Sequence, residues 1–324
     1  MWITLNLFIS NSRMKKFLVK ILWFTLILLL AAIVLDCVIS FRLLDNKNRM
    51  FAGWNAMYND TTNYDLIING SSRAWTQYDP IIIDSILNIN SYNLGIDGSA
   101  INRQIIKYNK YTEHHTSPVY LIQNIDLGTM DVTYGYEREQ FFPYFFYDID
   151  LVNEINKYEK FSFTERWIPC YRYIGYKDVL LEAIFHDNTK HYFDFLVKGY
   201  KGHDLSWDGS ALNSLDSVVC SCNPNALKEF TGFLTNLVES GTKVIFVYAP
   251  VYYKVVEKMT NKDEMYQMYQ DLASQFDIPI LDYTDMSICY DTTYFYNGTH
   301  LNRTGAEIFT TKLAQDLESL LQVE

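Results

Sequence analysis

The feature that most constrains this chain is a long apolar run near its start, "FLVKILWFTLILLLAAIVLDCVISF", over residues 17–41. Its charge-free part, Ile21 to Leu35, would cover only ~23 Å as a helix, short of the ~30 Å hydrocarbon core of a bilayer. The flanking residues make the run long enough, because Lys20 can extend its ammonium group towards the head groups and Asp36 falls near the opposite edge. The run therefore predicts a transmembrane anchor over residues 17–41.

Basic residues flank the run on both sides, so the charge bias that orients a membrane helix is slight. We expect residues 1–16 to be cytoplasmic and the remaining domain to lie outside the cytoplasmic membrane. A cleaved signal peptide is the main alternative, but no small-x-small cleavage site follows the run. A lipoprotein anchor at Cys37 is disfavoured by Asp36, and a buried core helix is a further alternative. The flanking basic residues are Arg13, Lys15, Lys16 and Lys20 before the run and Arg42, Lys47 and Arg49 after it, and Met14 before two lysines also looks like a natural start.

Composition narrows the classes of partner and cofactor. The chain has 324 residues, 49% of them apolar, which is ample for a large buried core. Its formal net charge of -11 repels phosphate backbones and argues against nucleic acid as a partner. The two cysteines in Cys220-Ser-Cys222 are closer together than zinc ligands usually are, so we predict no metal. The sequence implies no other cofactor.

After residue 63 short apolar runs alternate with helical patterns, which predicts an α/β fold with a parallel sheet. We expect a linker over 42–63, a domain over 64–324 and an aromatic-rich insertion over about 128–220. The predicted strands are Tyr64 to Ile68, Ser91 to Ser99, Pro118 to Leu127, Thr242 to Pro250 and Ile278 to Tyr283. The predicted helices are Trp75 to Leu87, Ile101 to Tyr111, Pro224 to Glu239, Lys262 to Gln275 and Thr304 to Leu321.

Chemically active side chains follow several of these strands, at the edge where open α/β sheets gather their catalytic groups. Ser71 and Ser72 follow the first strand, in "LIINGSSRAW". Gly95 and Gly98 interrupt the second strand near its end. The remaining candidates are Asn124 and Asp126 at the end of the third strand and His300, which comes just before the last helix.

Three stretches resemble blocks of the SGNH/GDSL hydrolase family, and they occur in the family's order: Gly70-Ser71-Ser72, Asn93 to Gly98, and Thr299 to Asn302. The chain looks most like the membrane-anchored branch, whose bacterial members move acyl groups on cell-surface polymers. The resemblance implies a three-layer α/β sandwich with a mainly parallel five-stranded sheet in flavodoxin-like order, preceded by one transmembrane helix.

The same resemblance assigns roles to particular residues. Ser72 matches the nucleophile and His300 the general base that takes its proton. The backbone N–H of Gly98 and the side chain of Asn124 match donors to the oxyanion. The match at Asn124 is loose, because the residue before it is Gln123 where the family has glycine.

The sequence departs from the family three residues before His300, where Asn297 replaces the usual aspartate. An amide can orient an imidazole, but it does not stabilise imidazolium as a carboxylate does. Either His300 works without an acid, or another acid serves, for which Asp291 is the nearest candidate, or the site is inert.

These observations predict a membrane-anchored serine esterase or O-acyltransferase acting on a cell-surface polysaccharide through a Ser72 acyl-enzyme. A transferase would take its acyl group from a membrane acyl-donor protein and pass it to a glycan hydroxyl. The alternative is a catalytically inert glycan-binding or scaffolding protein of the same fold. Each motif also has a plain structural explanation: either serine caps a helix, and the glycines form turns.

Overall fold

A computed structural model describes residues 12–47, 49–131, 138–185, 196–210, 212 and 216–321. The chain divides into two compact units. One combines residues 1–46 with 138–188, and the other combines residues 47–137 with 189–324. The boundaries predicted for a linker, a domain and an insertion stay predictions.

The α-helices of the described residues are, in chain order, α1 (Ser12–Leu44), α2 (Arg49–Asn59), α3 (Ser72–Gln77), α4 (Pro80–Leu87), α5 (Ile101–His114), α6 (Tyr144–Tyr147), α7 (Ile149–Ile155), α8 (Phe163–Trp167), α9 (Lys177–Ile184), α10 (Pro224–Glu239), α11 (Tyr253–Glu257), α12 (Lys262–Phe276) and α13 (Arg303–Leu321). The strands are β1 (Leu66–Asn69), β2 (Ser91–Asn93), β3 (Tyr120–Asn124), β4 (Lys243–Tyr248), β5 (Ile280–Asp282), β6 (Phe295–Asn297) and β7 (His300–Leu301).

In the second unit, within the described residues, β1 to β5 form one sheet in the order β2-β1-β3-β4-β5, and every pairing is parallel. This is the flavodoxin-like order, so the predicted fold class is confirmed. Leu66, Ile67 and Ile68 are completely buried, which is typical of a parallel sheet covered on both faces. The order places the carboxyl ends of β1, β2 and β3 side by side, where the candidate site residues follow.

Element boundaries differ from the prediction where local chemistry intervenes. The single helix predicted over Trp75 to Leu87 is two helices, α3 and α4, because Pro80 has no N–H to continue a helix from α3. Asp79 caps α4 by accepting from the N–H of Ile81 at 2.9 Å. The segment predicted as a linker contains α2, where Trp54 is buried.

In the first unit, α1 is long and apolar enough to cross a membrane by length and composition. At ~1.5 Å per residue it extends ~50 Å. Its apolar side chains are mostly exposed as far as Leu35, and a buried face begins beyond that point. Helices α6 to α9 belong to the same unit.

A buried ion pair lies on that face of α1. The Asp36 carboxylate pairs with the Arg172 guanidinium, and the side chains are 0% and 2% exposed. Asp36 also accepts from the Cys170 N–H at 2.9 Å. The guanidinium carbon lies 4.9 Å and 5.0 Å from the ring centroids of Phe145 and Phe146. The first unit therefore provides Asp36 with its countercharge inside the protein.

Removing one partner of this pair should destabilise the first unit strongly, because the other charge stays buried. We expect Arg172→Met to lower the free energy of unfolding by about 3–5 kcal/mol. The double variant Asp36→Leu/Arg172→Met should recover most of that loss, since it leaves no unpaired charge. Denaturant unfolding of the full chain in detergent micelles measures both. Equal stability of the single variant and the wild type would contradict the assigned pairing.

Candidate active site

The two serines after β1 have different structural roles. Ser71 is the cap of α3: its hydroxyl oxygen accepts from the Arg73 N–H at 3.3 Å, and its hydroxyl donates to Asp126. Ser72 is the first residue of α3, and its side chain faces His300 instead. The helix cap is therefore Ser71, while Ser72, the residue predicted as the nucleophile, faces His300.

Ser72 and His300 are in direct contact although 228 positions separate them in the chain. The distance from Ser72 Oγ to His300 Nε2 is 2.7 Å, within hydrogen-bond range. On the other side of the ring, Nδ1 lies 2.9 Å from Asn297 Oδ1 and 2.9 Å from Thr299 Oγ1. The structure thus brings together three of the residues singled out in the sequence.

The hydrogen bonds around Asn297 determine which imidazole nitrogen carries the proton. Asn297 Oδ1 accepts from the N–H groups of Thr299 at 3.0 Å and of His300 at 3.1 Å. The amide oxygen therefore points towards the imidazole, so Nδ1 must be the donor in the bond between them. This leaves Nε2 without a proton and able to accept one from the Ser72 hydroxyl.

Asp291 does not orient the imidazole. Its carboxylate accepts from the Thr293 N–H at 2.9 Å and the Thr293 hydroxyl at 2.7 Å, capping the turn at Thr292–Tyr294. Its side chain is exposed, and these local bonds lower its pKa. The antiparallel pair β6–β7 instead places Asn297 beside His300. The expectation that Asp291 replaces the family's aspartate is therefore wrong in the described structure.

The pKa of His300 is lowered from its ordinary value to about 4, mainly by burial among protein atoms and next by the nearby positive charge of Arg73. Asp126 acts in the opposite direction but does not outweigh them. At neutral pH the imidazole is consequently uncharged, which is the form that can accept a proton.

Asn124 presents an unused donor at the same edge of the sheet. Its Oδ1 accepts from the Tyr78 hydroxyl at 2.6 Å, so its Nδ2 group is directed elsewhere and has no partner among the described residues. A Cβ at Gly70 would lie 2.8 Å from Asn124 Cβ and 2.6 Å from Ala74 Cβ, so glycine is needed for this approach. A buried amide without a partner is costly unless a ligand satisfies it, which is what an oxyanion-binding group requires.

The glycines after β2 have separate roles. A Cβ at Gly95 would lie 2.3 Å from the backbone nitrogen of Trp75, so only glycine lets this loop pack on α3. Gly98 has a φ of +60°, in the left-handed region, and lies in the turn that leads to α5. Its assignment as a second oxyanion donor stays a prediction.

Two supporting features were not predicted from the sequence. Arg73 comes directly after Ser72 in the chain. Its guanidinium pairs with Asp126 and donates to the Ala249 carbonyl. Gln123, where the family has glycine, accepts from Asn69 Nδ2 at 2.9 Å and donates to Gln104 at 3.0 Å, which ties β3 to β1 and α5. Arg73, directly after Ser72, was a visible sequence signal for the ion pair with Asp126. The Gln123 hydrogen bonds have no such signal, because they depend on how β3 pairs with β1.

No protein-family profile matches the chain, and no curated protein matches its sequence. Among solved structures, it is similar to a proposed acylhydrolase from Bacteroides fragilis, with 10% identity over 80% of this chain and 92% of the other and a TM-score of 0.41. A proposed lipolytic protein of the G-D-S-L family from Desulfitobacterium hafniense matches with 9% identity over 78% and 99% of the two chains and a TM-score of 0.40. An acetyl xylan esterase matches with 11% identity over 79% and 98% and a TM-score of 0.39. The fold class of this chain rests on its own strand order.

The site geometry makes a prediction that needs no substrate. In the wild type, His300 should titrate near pH 4, whereas Asn297→Asp should raise its pKa because a carboxylate stabilises imidazolium. Histidine nitrogen chemical shifts recorded against pH in labelled protein measure this. His115, which bonds to the Tyr111 and Asp60 carbonyls, provides the internal control. An unchanged His300 titration in Asn297→Asp would contradict the contact between residue 297 and the imidazole.

Proposed function

We propose that this protein cleaves ester bonds with Ser72 as the nucleophile and His300 as the general base. The observation that carries the proposal is the 2.7 Å contact between Ser72 Oγ and His300 Nε2, on a ring whose other nitrogen faces the Asn297 oxygen. A serine hydroxyl is a poor nucleophile until a base removes its proton during attack. The pairing and the tautomer are those that the reaction requires.

The reaction proceeds in two halves. Ser72 Oγ attacks the ester carbonyl while its proton moves to His300 Nε2, and the carbonyl oxygen becomes an oxyanion. Asn124 Nδ2 and the Gly98 N–H stabilise that oxyanion. The imidazolium then gives its proton to the leaving alcohol, and an acyl group stays on Ser72. In the second half, water or a sugar hydroxyl attacks the acyl group, with His300 again accepting and returning the proton.

Asn297 sets the rate at which this site works. In a serine protease, replacing the aspartate of the triad by asparagine lowers kcat by about 10⁴. Here an amide stands in that place, and a pKa of about 4 makes His300 a weak base. We therefore propose a slow enzyme whose site is geometrically complete.

Two finer assignments extend the proposal. The length and apolar surface of α1 support a single-pass membrane anchor. The cytoplasmic membrane and the extracytoplasmic side of the domain are proposed from the sequence alone. Trp207 is half-buried and lies beside Gly298, 3.3 Å from where a Cβ would be, in the turn between β6 and β7. An aromatic face beside the turn that carries His300 suits the apolar side of a sugar, which supports a cell-surface polysaccharide as the acyl acceptor. A transferase would receive its acyl group from a membrane protein.

A fluorophosphonate probe reacts only with an activated serine, so it tests the nucleophile directly. Ser72→Ala should abolish labelling of the full chain. Ser71→Ala is the matched control: it removes a helix cap worth ~1 kcal/mol but leaves the Ser72–His300 contact, so most labelling should persist. Labelling that survives in Ser72→Ala would contradict the assignment, and a wild type that never labels would instead favour an inert glycan-binding protein.

Restoring a carboxylate should accelerate the site. We expect Asn297→Asp to raise the labelling rate at pH 7 by at least ten-fold, because the acid stabilises imidazolium in the transition state. The rate should fall at low pH in both proteins, since the imidazole is neutral only above its pKa. The midpoint of this fall should lie near pH 4 in the wild type and at a higher pH in Asn297→Asp. Rates measured between pH 3 and pH 9 test both effects.

Asp291→Asn provides the control for that experiment, because the Asp291 carboxylate bonds only to Thr293 in the described structure. Its labelling rate and pH profile should match the wild type. A large loss in Asp291→Asn, with no gain in Asn297→Asp, would overturn the role given to Asn297.

A further inference from the structure

A patch of exposed apolar side chains lies beside α1 in the first unit. It covers residues 163–174, "FTERWIPCYRYI", which we call the aromatic segment. Phe163 is 74% exposed, Trp167 69% and Ile174 70%. Water-soluble proteins rarely gather large apolar side chains in this way without a partner.

Two hydrogen bonds show which part of α1 the aromatic segment contacts. Cys170 Sγ donates to the Ala32 carbonyl at 3.4 Å, and the Cys170 N–H donates to Asp36 at 2.9 Å. The segment therefore contacts α1 at a point where the helix is still apolar. It does not sit beyond the end of the apolar run.

The thickness of the hydrocarbon core shows how deep in the membrane the contact at Ala32 would lie. A hydrocarbon core of ~30 Å corresponds to ~20 helical residues. If the core begins between Lys16 and Lys20, the helix leaves it between Asp36 and Ser40. Ala32 then lies ~6 Å or more inside the outer boundary, at four residues or more of helix.

The charged side chains of the aromatic segment are already hydrogen-bonded inside the first unit. Arg172 pairs with Asp36, Glu165 with Arg138 at 2.6 Å, and Arg166 donates to Asn153 at 2.6 Å. The side chains left facing outwards are mainly aromatic and aliphatic. Trp and Tyr are the residues enriched where a protein meets the membrane interface.

We propose that the aromatic segment is immersed in the outer leaflet of the membrane, where Phe163, Trp167 and Ile174 contact lipid. The proposal rests on the proposed anchor and deepens it: the first unit is held in the membrane by α1 and also by the aromatic segment that contacts α1. The same arrangement accounts for Asp36, whose charge would otherwise face the acyl chains. Arg172 supplies the countercharge at that depth, as ionisable groups within a membrane require.

Photocrosslinking in native membranes tests this with the full chain. p-Benzoylphenylalanine introduced in place of Phe163 or Trp167 should crosslink to phospholipid on irradiation, detected as a lipid adduct by mass spectrometry. The same group in place of Tyr158 should give at least ten-fold less lipid adduct. Tyr158 is a partly exposed ring of the same unit, next to the exposed ion pair of Lys157 with Glu154, a pair that indicates a water-facing surface.

A probe in place of Leu28, in the apolar part of α1, separates the two proposals. Lipid adducts at Leu28 but not at Phe163 or Trp167 would overturn the immersed segment and leave the anchor standing. No lipid adduct at any of these positions would overturn both. A protein adduct at Phe163 and Trp167 in place of lipid would show that the segment is a protein-binding surface, and would also overturn the proposal.

Discussion

The contact between Ser72 Oγ and His300 Nε2 is the interaction on which the functional interpretation depends. It exists because the parallel sheet gathers the carboxyl ends of β1 and its neighbours at one edge, while the β6–β7 pair brings His300 to that edge from near the end of the chain. The supporting groups each fix one degree of freedom. Asn297 fixes the tautomer, Tyr78 fixes the direction of the Asn124 amide, and Ser71 with Asp126 holds the start of α3.

The electrostatics of the site differ from those of a serine–histidine–aspartate triad. The imidazole is half-buried, lies near the positive charge of Arg73 and faces an amide, so its pKa falls to about 4 and the neutral form dominates at physiological pH. Neutrality makes His300 ready to accept a proton, but low basicity weakens the driving force for the transfer.

Much of the sheet and the contact of Ser72 with His300 could be predicted from the sequence, because strand runs, a glycine before two serines and a late histidine are local signals. Helix α10 was predicted with its observed bounds, since Asn223 and Pro224 mark its start. The roles within the site could not be read in this way. Whether Asn297 or Asp291 faces His300 depends on the register of a two-stranded pair, and the Tyr78–Asn124 bond joins residues 46 positions apart. The packing of residues 163–174 against α1 is equally non-local, since Cys170 and Ala32 are separated by 138 positions.

The most direct test of the central claim is to trap the acyl-enzyme. The full chain is incubated with an activated acetyl ester, quenched in acid and mapped by peptide mass spectrometry. The account predicts an acetyl group on the peptide that carries Ser72, located to that residue and not to Ser71, and its loss in His300→Ala. Acetylation at another residue, or at Ser72 with equal yield in His300→Ala, would contradict it.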